Sequence, residues 1–304
     1  MTETAPAQPL PETRVQGYLL VILAGVLWST VGLGIRLIED ALVWQILFYR
    51  SFGLTALLYI VIRLRTGQNP LTLARKGGWP TMIGGASLVA AYAGGIYAIQ
   101  NTSVADAMLL FASAPFMTAV LAWIILGERV RAHTWIAILA ACGGIGVMVS
   151  DSSGVSSLSG NLAALFSALG FAVFTIALRW GRKGEMLPAV FVSGLMAIVV
   201  MGVICVVLGL PMVLTPRDGG IALCMGLFQV GAGLVLYTIG SKHVPAAELT
   251  LLSLAEVVLG PLWVWMFLGE TISVATAIGG AILLAAIAFN AALGMRRKPP
   301  VTLV

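Results

Sequence analysis

One carboxylate lies deep inside an apolar part of the chain. Glu256 is flanked by aliphatic residues in the run LTLLSLAEVVLGPLW. If this run crosses a membrane, an ionised carboxylate at its centre costs on the order of 3 kcal/mol by insertion scales. Two roles fit such a residue. It either faces a watery cavity, where it binds a substrate ammonium or carries a proton, or it is a protonated acid that hydrogen-bonds a neighbouring helix. We favour the first role.

Polar and aromatic side chains inside other apolar runs form a second group of candidates. A buried tyrosine or glutamine needs a hydrogen-bond partner, which water or a ligand supplies in a pocket. The same residue types also occur in ordinary helix packing and in the aromatic belts at membrane surfaces. Together with Glu256, the predicted substrate-binding residues are Trp28, Tyr92, Tyr97, Ser113, Gln229, Tyr237 and Ser253.

Two prolines interrupt apolar runs. Pro115 and Pro261 each remove a backbone hydrogen bond, which frees the carbonyls of Phe111 and Val257. A freed carbonyl at membrane depth is tolerated where it is buried or lines a polar cavity. We predict two helix kinks, and leave open whether the freed carbonyls coordinate substrate or the kinks are only structural.

Four further carboxylates lie near predicted helix ends. Asp106 and Glu248 fall in the first turn of a helix, where the macrodipole favours a negative charge. Glu128 and Glu270 each follow a glycine and open the turn into the next helix. We expect mainly structural roles for these four residues, with a gate charge as the alternative.

The patterns of the common hydrolytic, metal and nucleotide-driven chemistries are absent from the sequence. It has only two histidines, His133 and His243, and no HExxH, GxSxG or P-loop pattern. Its three cysteines, Cys142, Cys205 and Cys224, have neither metal-ligand nor disulfide spacing. We therefore predict no catalytic residue, no metal and no cofactor. An intramembrane enzyme acting on lipid or a lipid-linked substrate stays as the alternative to transport.

The composition indicates that these residues are positioned by membrane helices. Of the 304 residues, 60% are hydrophobic and 10% are charged, and the mean hydropathy is +1.02. The apolar residues form long blocks, each near the roughly 20 residues that one crossing requires. The predicted spans are 18–36, 42–62, 80–100, 104–126, 132–150, 159–179, 187–209, 218–240, 246–268 and 273–293.

The basic residues predict the orientation of the spans. With the N-terminus inside, 14 of the 17 Lys and Arg residues lie on the inner side, and Arg36, Arg50 and Arg217 are left for the outer side. Both termini are therefore predicted to be cytoplasmic. The net charge of +5 follows from this topology, so we expect no nucleic-acid partner.

One segment occurs twice in the chain, with a spacing of 142 residues. Its matching residues are Ala105 and Ala247, Leu109 and Leu251, Leu110 and Leu252, Trp123 and Trp265, Leu126 and Leu268, Gly127 and Gly269, Glu128 and Glu270, Thr134 and Thr276, and Ile136 and Ile278. More weakly, Arg36 matches Arg179. Each half carries five spans, an odd number, so the second copy must enter the membrane upside down.

We therefore predict an all-α membrane protein whose ten transmembrane helices form two inverted five-helix repeats. The expected parts are a cytoplasmic tail at 1–16, a first repeat at 17–150, a second repeat at 158–293 and a cytoplasmic tail at 294–304. Inverted repeats give two conformations of similar energy, which is the physical basis of alternating access.

The two copies, NTSVADAMLLFASAPFMTAVLAWIILGERV and KHVPAAELTLLSLAEVVLGPLWVWMFLGETI, resemble the EamA-type branch of the drug/metabolite transporter superfamily. The residues that match the family pattern are Pro115, Gly127, Glu128, Glu256, Gly269 and Glu270. The chain departs from the pattern at Val257, where the family often has proline; here the proline is Pro261, one turn later. The resemblance implies a bacterial inner-membrane exporter of small metabolites, among which amino acids are frequent.

The expected partners are a small-molecule substrate and the lipid bilayer, and the expected assembly is a monomer or a homodimer. A channel or receptor fits less well, because most connections between spans are too short to form a filter-like loop. The favoured prediction is a secondary transporter that exports metabolites such as amino acids through a central cavity between the repeats.

Overall fold

The computed structural model describes residues 11–128, 130–150, 157–180, 186–241, 244 and 246–295, with side chains for all of these except 11–14, 186, 246–251, 253–255 and 294–295. Regular structure in these ranges is helical throughout. The helices are α1 (Pro11–Ser29), α2 (Val31–Arg36), α3 (Val43–Thr66), α4 (Pro70–Asn101), α5 (Val104–Phe111), α6 (Ala114–Leu126), α7 (Ala132–Ser150), α8 (Leu158–Trp180), α9 (Met186–Val207), α10 (Pro216–Cys224), a π-helical segment (Met225–Ala232), α11 (Gly233–Gly240), α12 (Ala246–Leu268) and α13 (Val274–Met295).

These helices confirm the predicted ten-span fold. In the described part of the chain, nine helical segments are long and apolar enough to cross a membrane, and α12 adds a shorter apolar stretch at Glu256–Leu268. The fourth and fifth spans, Val104–Leu126 and Ala132–Ser150, have the predicted bounds. The largest difference is in the third span, where α4 begins at Pro70 because a short helical segment precedes the crossing. Gly78, with φ 62° and ψ −152°, turns the chain between that segment and the crossing.

Three spans depart from regular α-helix between their two ends. The first span breaks at Thr30, between α1 and α2, and the fourth breaks between α5 and α6. The eighth span passes through the π-helical segment Met225–Ala232 before it continues as α11. Backbone that leaves the α-helical pattern at membrane depth is tolerated only when it is buried or lines a cavity, and π-helical turns are frequent at functional sites.

The two halves pack against each other along most of their length. Helix α4 contacts α8 and α9, α3 contacts α9, α7 contacts α13, and α1 contacts α11 and α12. Small residues make some of these approaches very close: at Gly226 an added Cβ would collide with the backbone carbonyl of Arg50. The interface between α3 and the π-helical segment is therefore a backbone-to-backbone contact, which fixes Arg50 relative to the eighth span.

Candidate functional site

A buried arginine lies inside the helix bundle. Arg50 is the eighth residue of α3, about 10 Å along its axis, and only 5% of the residue is exposed. Its guanidinium lies over the ring of Tyr92 from α4, with the carbon Cζ 4.8 Å from the ring centroid. Its Nη2 donates a hydrogen bond of 3.4 Å to Oε1 of Gln229. Arg50 thus connects the second, third and eighth spans.

Gln229 extends these contacts to the first span. It belongs to the π-helical segment and is buried, and its Nε2 donates to the backbone carbonyl of Trp28 at 3.4 Å. The Trp28 ring then packs on the ring of Tyr237 from α11, with 5.3 Å between the centroids. This packing requires glycine at position 233, where a Cβ would collide with the Trp28 indole.

Glu256 lies on α12, which packs against the first span. It is ten residues into α12, about 15 Å along the axis and thus near the middle of the span. It is half-buried, and Gly260, one turn later, lies close to α1, since an added Cβ there would be 3.4 Å from the Ser29 carbonyl oxygen. Helix α12 is held against α1 by Trp263, whose Nε1 donates to the Ser29 hydroxyl at 2.8 Å.

These residues form a polar row, which consists of Tyr92, Arg50, Gln229, Trp28, Tyr237 and Glu256 in that order. Direct contacts join the first five, and the packing of α12 on the first span adds Glu256. The row draws on five spans and on both repeats. Four of its side chains, those of Tyr92, Trp28, Tyr237 and Glu256, are half-buried and therefore keep accessible surface. A row of this kind offers hydrogen-bonding groups, aromatic faces and one charge of each sign to a small molecule.

Five of the six residues of the polar row were predicted from the sequence, and the sixth, Arg50, was not. The topology prediction counts Arg50 among the basic residues on the outer side, whereas the structure places this residue within α3 and buried. The signal was present, because Arg50 falls inside the predicted span 42–62, in the run VWQILFYRSFGLTALL. A charge within a span should have been treated as a site candidate, as Glu256 was.

Two of the other predicted binding residues, Tyr97 and Ser113, do not belong to the polar row. The Tyr97 side chain is exposed on α4. Ser113 is buried at the break of the fourth span, where its hydroxyl donates to the Leu110 carbonyl at 2.6 Å. The side chains of Ser253 and Glu248 lie outside the described residues, so the roles predicted for them stay predictions.

The two prolines occupy different local structures. Pro115 lies in the first turn of α6, where the missing N–H would have had no helical partner, so it follows a helix break rather than bending one helix. Pro261 lies inside α12, slightly more than one turn after Glu256.

A second set of charges lies at the end of the bundle where the first and ninth spans finish. Arg36 pairs with Glu270 through Nε and Oε2 at 2.9 Å, and its Nη2 donates to the Thr102 carbonyl at 2.8 Å. The backbone N–H of Val104 donates to Oε1 of Glu270 at 2.7 Å. Glu270 therefore caps the N-terminus of α5 while holding the end of α2.

An equivalent ion pair lies at the opposite end. Arg179 of α8 pairs with Glu128, which follows α6. In the repeat, Arg179 corresponds to Arg36 and Glu128 to Glu270, so each pair joins one residue of each half. Because the spans alternate in direction, the two pairs are at opposite faces. Their environments differ: the side chains are 46% and 45% exposed in the pair formed by Arg179, against 20% and 18% in the pair formed by Arg36.

Asp106 is bound within the structure. It is 1% exposed and accepts hydrogen bonds from the Ser103 hydroxyl at 2.8 Å and the Thr276 hydroxyl at 2.7 Å. The second of these bonds joins α5 to the start of α13. Within the described ranges, no group of three or more His, Cys, Asp or Glu side chains is placed to hold a metal ion.

Ten membrane helices arranged as two inverted repeats define a multi-pass membrane protein of the transporter class. The chain belongs to the EamA-like transporter family, which it matches twice, over residues 15–150 and 158–292. This membership places it in the drug/metabolite transporter superfamily, as the resemblance of its two copies implied.

Relatives of similar length are also named as transporters. The chain is 27% identical to the uncharacterized transporter YwfM of Bacillus subtilis, over 92% of this chain and 95% of the relative. It is 26% identical to the pseudopaline exporter CntI of Pseudomonas aeruginosa, over 89% and 94% of the two chains. A solved crystal structure, 22% identical in sequence, has the same fold with a TM-score of 0.64, covering 94% of this chain and 99% of that one.

Proposed function

We propose that the protein is a secondary transporter that exports small metabolites, such as amino acids, by alternating access through a central cavity between the two repeats. The observation that carries this proposal is the polar row, because it brings one arginine and one carboxylate into the membrane interior from different repeats. Ionisable residues inside a bundle are costly, and they mark substrate or ion pathways in membrane proteins.

The two ion pairs support the alternating-access part of the proposal. In an inverted-repeat transporter, each half can adopt the conformation of the other, and this exchange switches the side to which the cavity opens. The contacts that close the cavity at one face therefore have equivalents at the opposite face. The pairs Arg36–Glu270 and Arg179–Glu128 are equivalent in this way. In our proposal, the pair Arg36–Glu270 breaks when the cavity opens to the outer face, and the pair Arg179–Glu128 breaks when it opens to the inner face.

The distribution of basic residues supports an orientation with both termini in the cytoplasm, in a bacterial inner membrane. In that orientation Arg36 and Glu270 lie at the outer face. The direction of transport is proposed to be outward, since one relative is named as an exporter. No observation favours the alternative of an intramembrane enzyme over transport.

Counterflow in proteoliposomes tests the proposed function directly. Purified protein is reconstituted into vesicles preloaded with one unlabelled compound from a panel of amino acids and other small metabolites, and uptake of the same compound in radiolabelled form is followed. We expect transient accumulation of label that depends on the preload. The matched control is Arg217→Gln, which removes an exposed arginine paired with the exposed Glu39 at the bundle surface and should exchange like the wild type. Absence of exchange across a panel of amino acids and other small metabolites would contradict the proposal.

A further inference from the structure

Arg50 has more hydrogen-bonding capacity than the surrounding protein uses. A guanidinium carries five N–H donors, and it keeps its charge at all accessible pH values. Within the described residues, its polar contacts are one hydrogen bond of 3.4 Å to Gln229 and the face of the Tyr92 ring. It forms no ion pair there with a carboxylate. Most of its donors are thus left for a partner that the protein does not supply.

The position of Arg50 is fixed rather than adaptable. The close approach of Gly226 holds its backbone, and the added Cβ of Gly53, one turn later on α3, would lie only 2.5 Å from the Leu223 carbonyl. The guanidinium carbon Cζ lies over the Tyr92 ring. A planar guanidinium held in this way suits two parallel hydrogen bonds to a carboxylate, and the membrane interior strengthens such a bond.

The positive and negative ends of the polar row are separated. Arg50 lies on α3 and Glu256 lies on α12, and the contacts that connect these two helices run through the π-helical segment and α1. Between them lie Gln229 and the packed rings of Trp28 and Tyr237. The row therefore offers a guanidinium, an aromatic stretch and a carboxyl group in sequence.

We propose that Arg50 binds the carboxylate of the transported molecule and that the site takes an elongated zwitterion. The carboxylate lies on Arg50, the apolar body lies along Trp28 and Tyr237, and the cationic nitrogen lies at Glu256. This assignment rests on the proposed transport function and narrows its substrate class. It distinguishes molecules with well-separated charges from α-amino acids, whose ammonium and carboxylate are attached to one carbon.

Binding of four small probes to the purified full-length protein tests the assignment. ε-Aminocaproate has both charges at opposite ends, n-hexylamine lacks the carboxylate, caproate lacks the ammonium, and norleucine is an isomer of ε-aminocaproate with both charges on one carbon. Affinity is measured from the ligand concentration dependence of thermal stabilisation. We expect ε-aminocaproate to bind at least about tenfold more tightly than each of the other three.

Substitutions at the two ends should act on different probes. Arg50→Gln is expected to weaken ε-aminocaproate about tenfold or more and to leave n-hexylamine within about twofold of the wild type. Glu256→Gln should weaken ε-aminocaproate and leave caproate unchanged. Arg50→Lys retains the positive charge and is the control for a folding defect of Arg50→Gln. It should restore part of the affinity for ε-aminocaproate that Arg50→Gln loses. Arg217→Gln is the matched arginine control and should bind all four probes as the wild type does.

Three results would overturn the assignment. They are equal binding of ε-aminocaproate and n-hexylamine by the wild type, tighter binding of norleucine than of ε-aminocaproate, and unchanged selectivity in folded Arg50→Gln and Arg50→Lys. A counterflow measurement shows whether such a result overturns only the substrate assignment or the proposed transport function as well. Wild-type vesicles that exchange any compound of the panel while probe binding does not depend on Arg50 overturn only the assignment, whereas vesicles that exchange no compound of the panel overturn the transport proposal.

Discussion

At the scale of single residues, the two ionisable groups of the polar row are more informative than the many aromatic residues around them. Aromatic side chains pack well in a membrane whether or not a substrate is present. A carboxylate or a guanidinium in the same place costs free energy unless it is compensated. Glu256 and Arg50 therefore lead to the sharpest tests.

Glu256→Gln should separate a transport role from a packing role. The substitution keeps the shape and most of the hydrogen-bonding capacity but removes a costly ionisable group, so thermal stability should be equal or higher. Transport should fall by about tenfold or more, because about 1.4 kcal/mol of lost interaction is a factor of ten. Counterflow and thermal denaturation are measured on the same preparation. A strongly destabilised variant whose activity falls only with the folded fraction would favour packing.

The equivalent ion pairs should differ in strength because their burial differs. Glu270→Gln leaves Arg36 without its anion and weakens the cap of α5, which should cost about 1–3 kcal/mol. Glu128→Gln breaks an exposed pair and should cost less than about 1 kcal/mol. Thermal denaturation in detergent measures both. Equal losses would mean that the burial of the outer pair has no energetic consequence.

At the scale of helices, interruptions rather than regular turns position the site. The break of the first span, at Thr30, lies two residues after Trp28, and the π-helical segment carries Gln229. The glycines at these places allow helices to approach until backbone meets backbone.

Gly226→Ala should be disruptive although the change is one methyl group. Its Cβ would meet the Arg50 carbonyl, a backbone atom that cannot move without displacing α3. We expect a clear loss of thermal stability and of transport. Gly220→Ala is the matched control in the same span, because its Cβ meets nothing within 4 Å and alanine is the better helix former. Similar stability of the two variants would contradict the close packing of α3 on the eighth span.

Pro115→Ala tests whether the break of the fourth span matters for motion. Alanine removes the fixed φ of proline and its steric restriction on Ala114, which allows α5 and α6 to join as one helix. We expect slower transport with little loss of stability, measured by counterflow and thermal denaturation. Normal transport by a stable variant would show that the break is incidental.

At the scale of the whole molecule, the inverted repeat predicts the accessibility of its connections. The loop after the second span and the loop after the seventh occupy equivalent places in the two halves, so they must be at opposite faces. Gln68 and Val213 are exposed residues of these two loops.

Single cysteines at these positions test the arrangement in cells. In a background without the three native cysteines, Val213→Cys should react with an impermeant reagent from outside, and Gln68→Cys only after permeabilisation. Labelling of both from one side would contradict the inverted repeat. Labelling of each from the opposite side to that expected would contradict only the proposed orientation.

Most of the fold was predictable because the membrane imposes a simple rule on sequence. A crossing needs a long apolar run, and its limits are marked by glycine, proline or charge. The bounds of the fourth and fifth spans were accordingly predicted to the residue. The short helical segment before the third crossing was missed, since it carries Arg75 and Lys76 and does not resemble a span.

What the sequence determined by itself is the fold class, the duplication and the inversion of the second half, together with the depth of Glu256. These follow from local hydropathy, from spacing and from the odd number of spans. Only the tertiary structure decided which polar residues meet. Arg50 and Gln229 are 179 residues apart, and Arg36 and Glu270 are 234 apart. Such contacts depend on which helices are neighbours and on how each helix is rotated about its axis. The hydropathy of a single span indicates neither the neighbours nor the rotation, because a span is apolar on nearly every face.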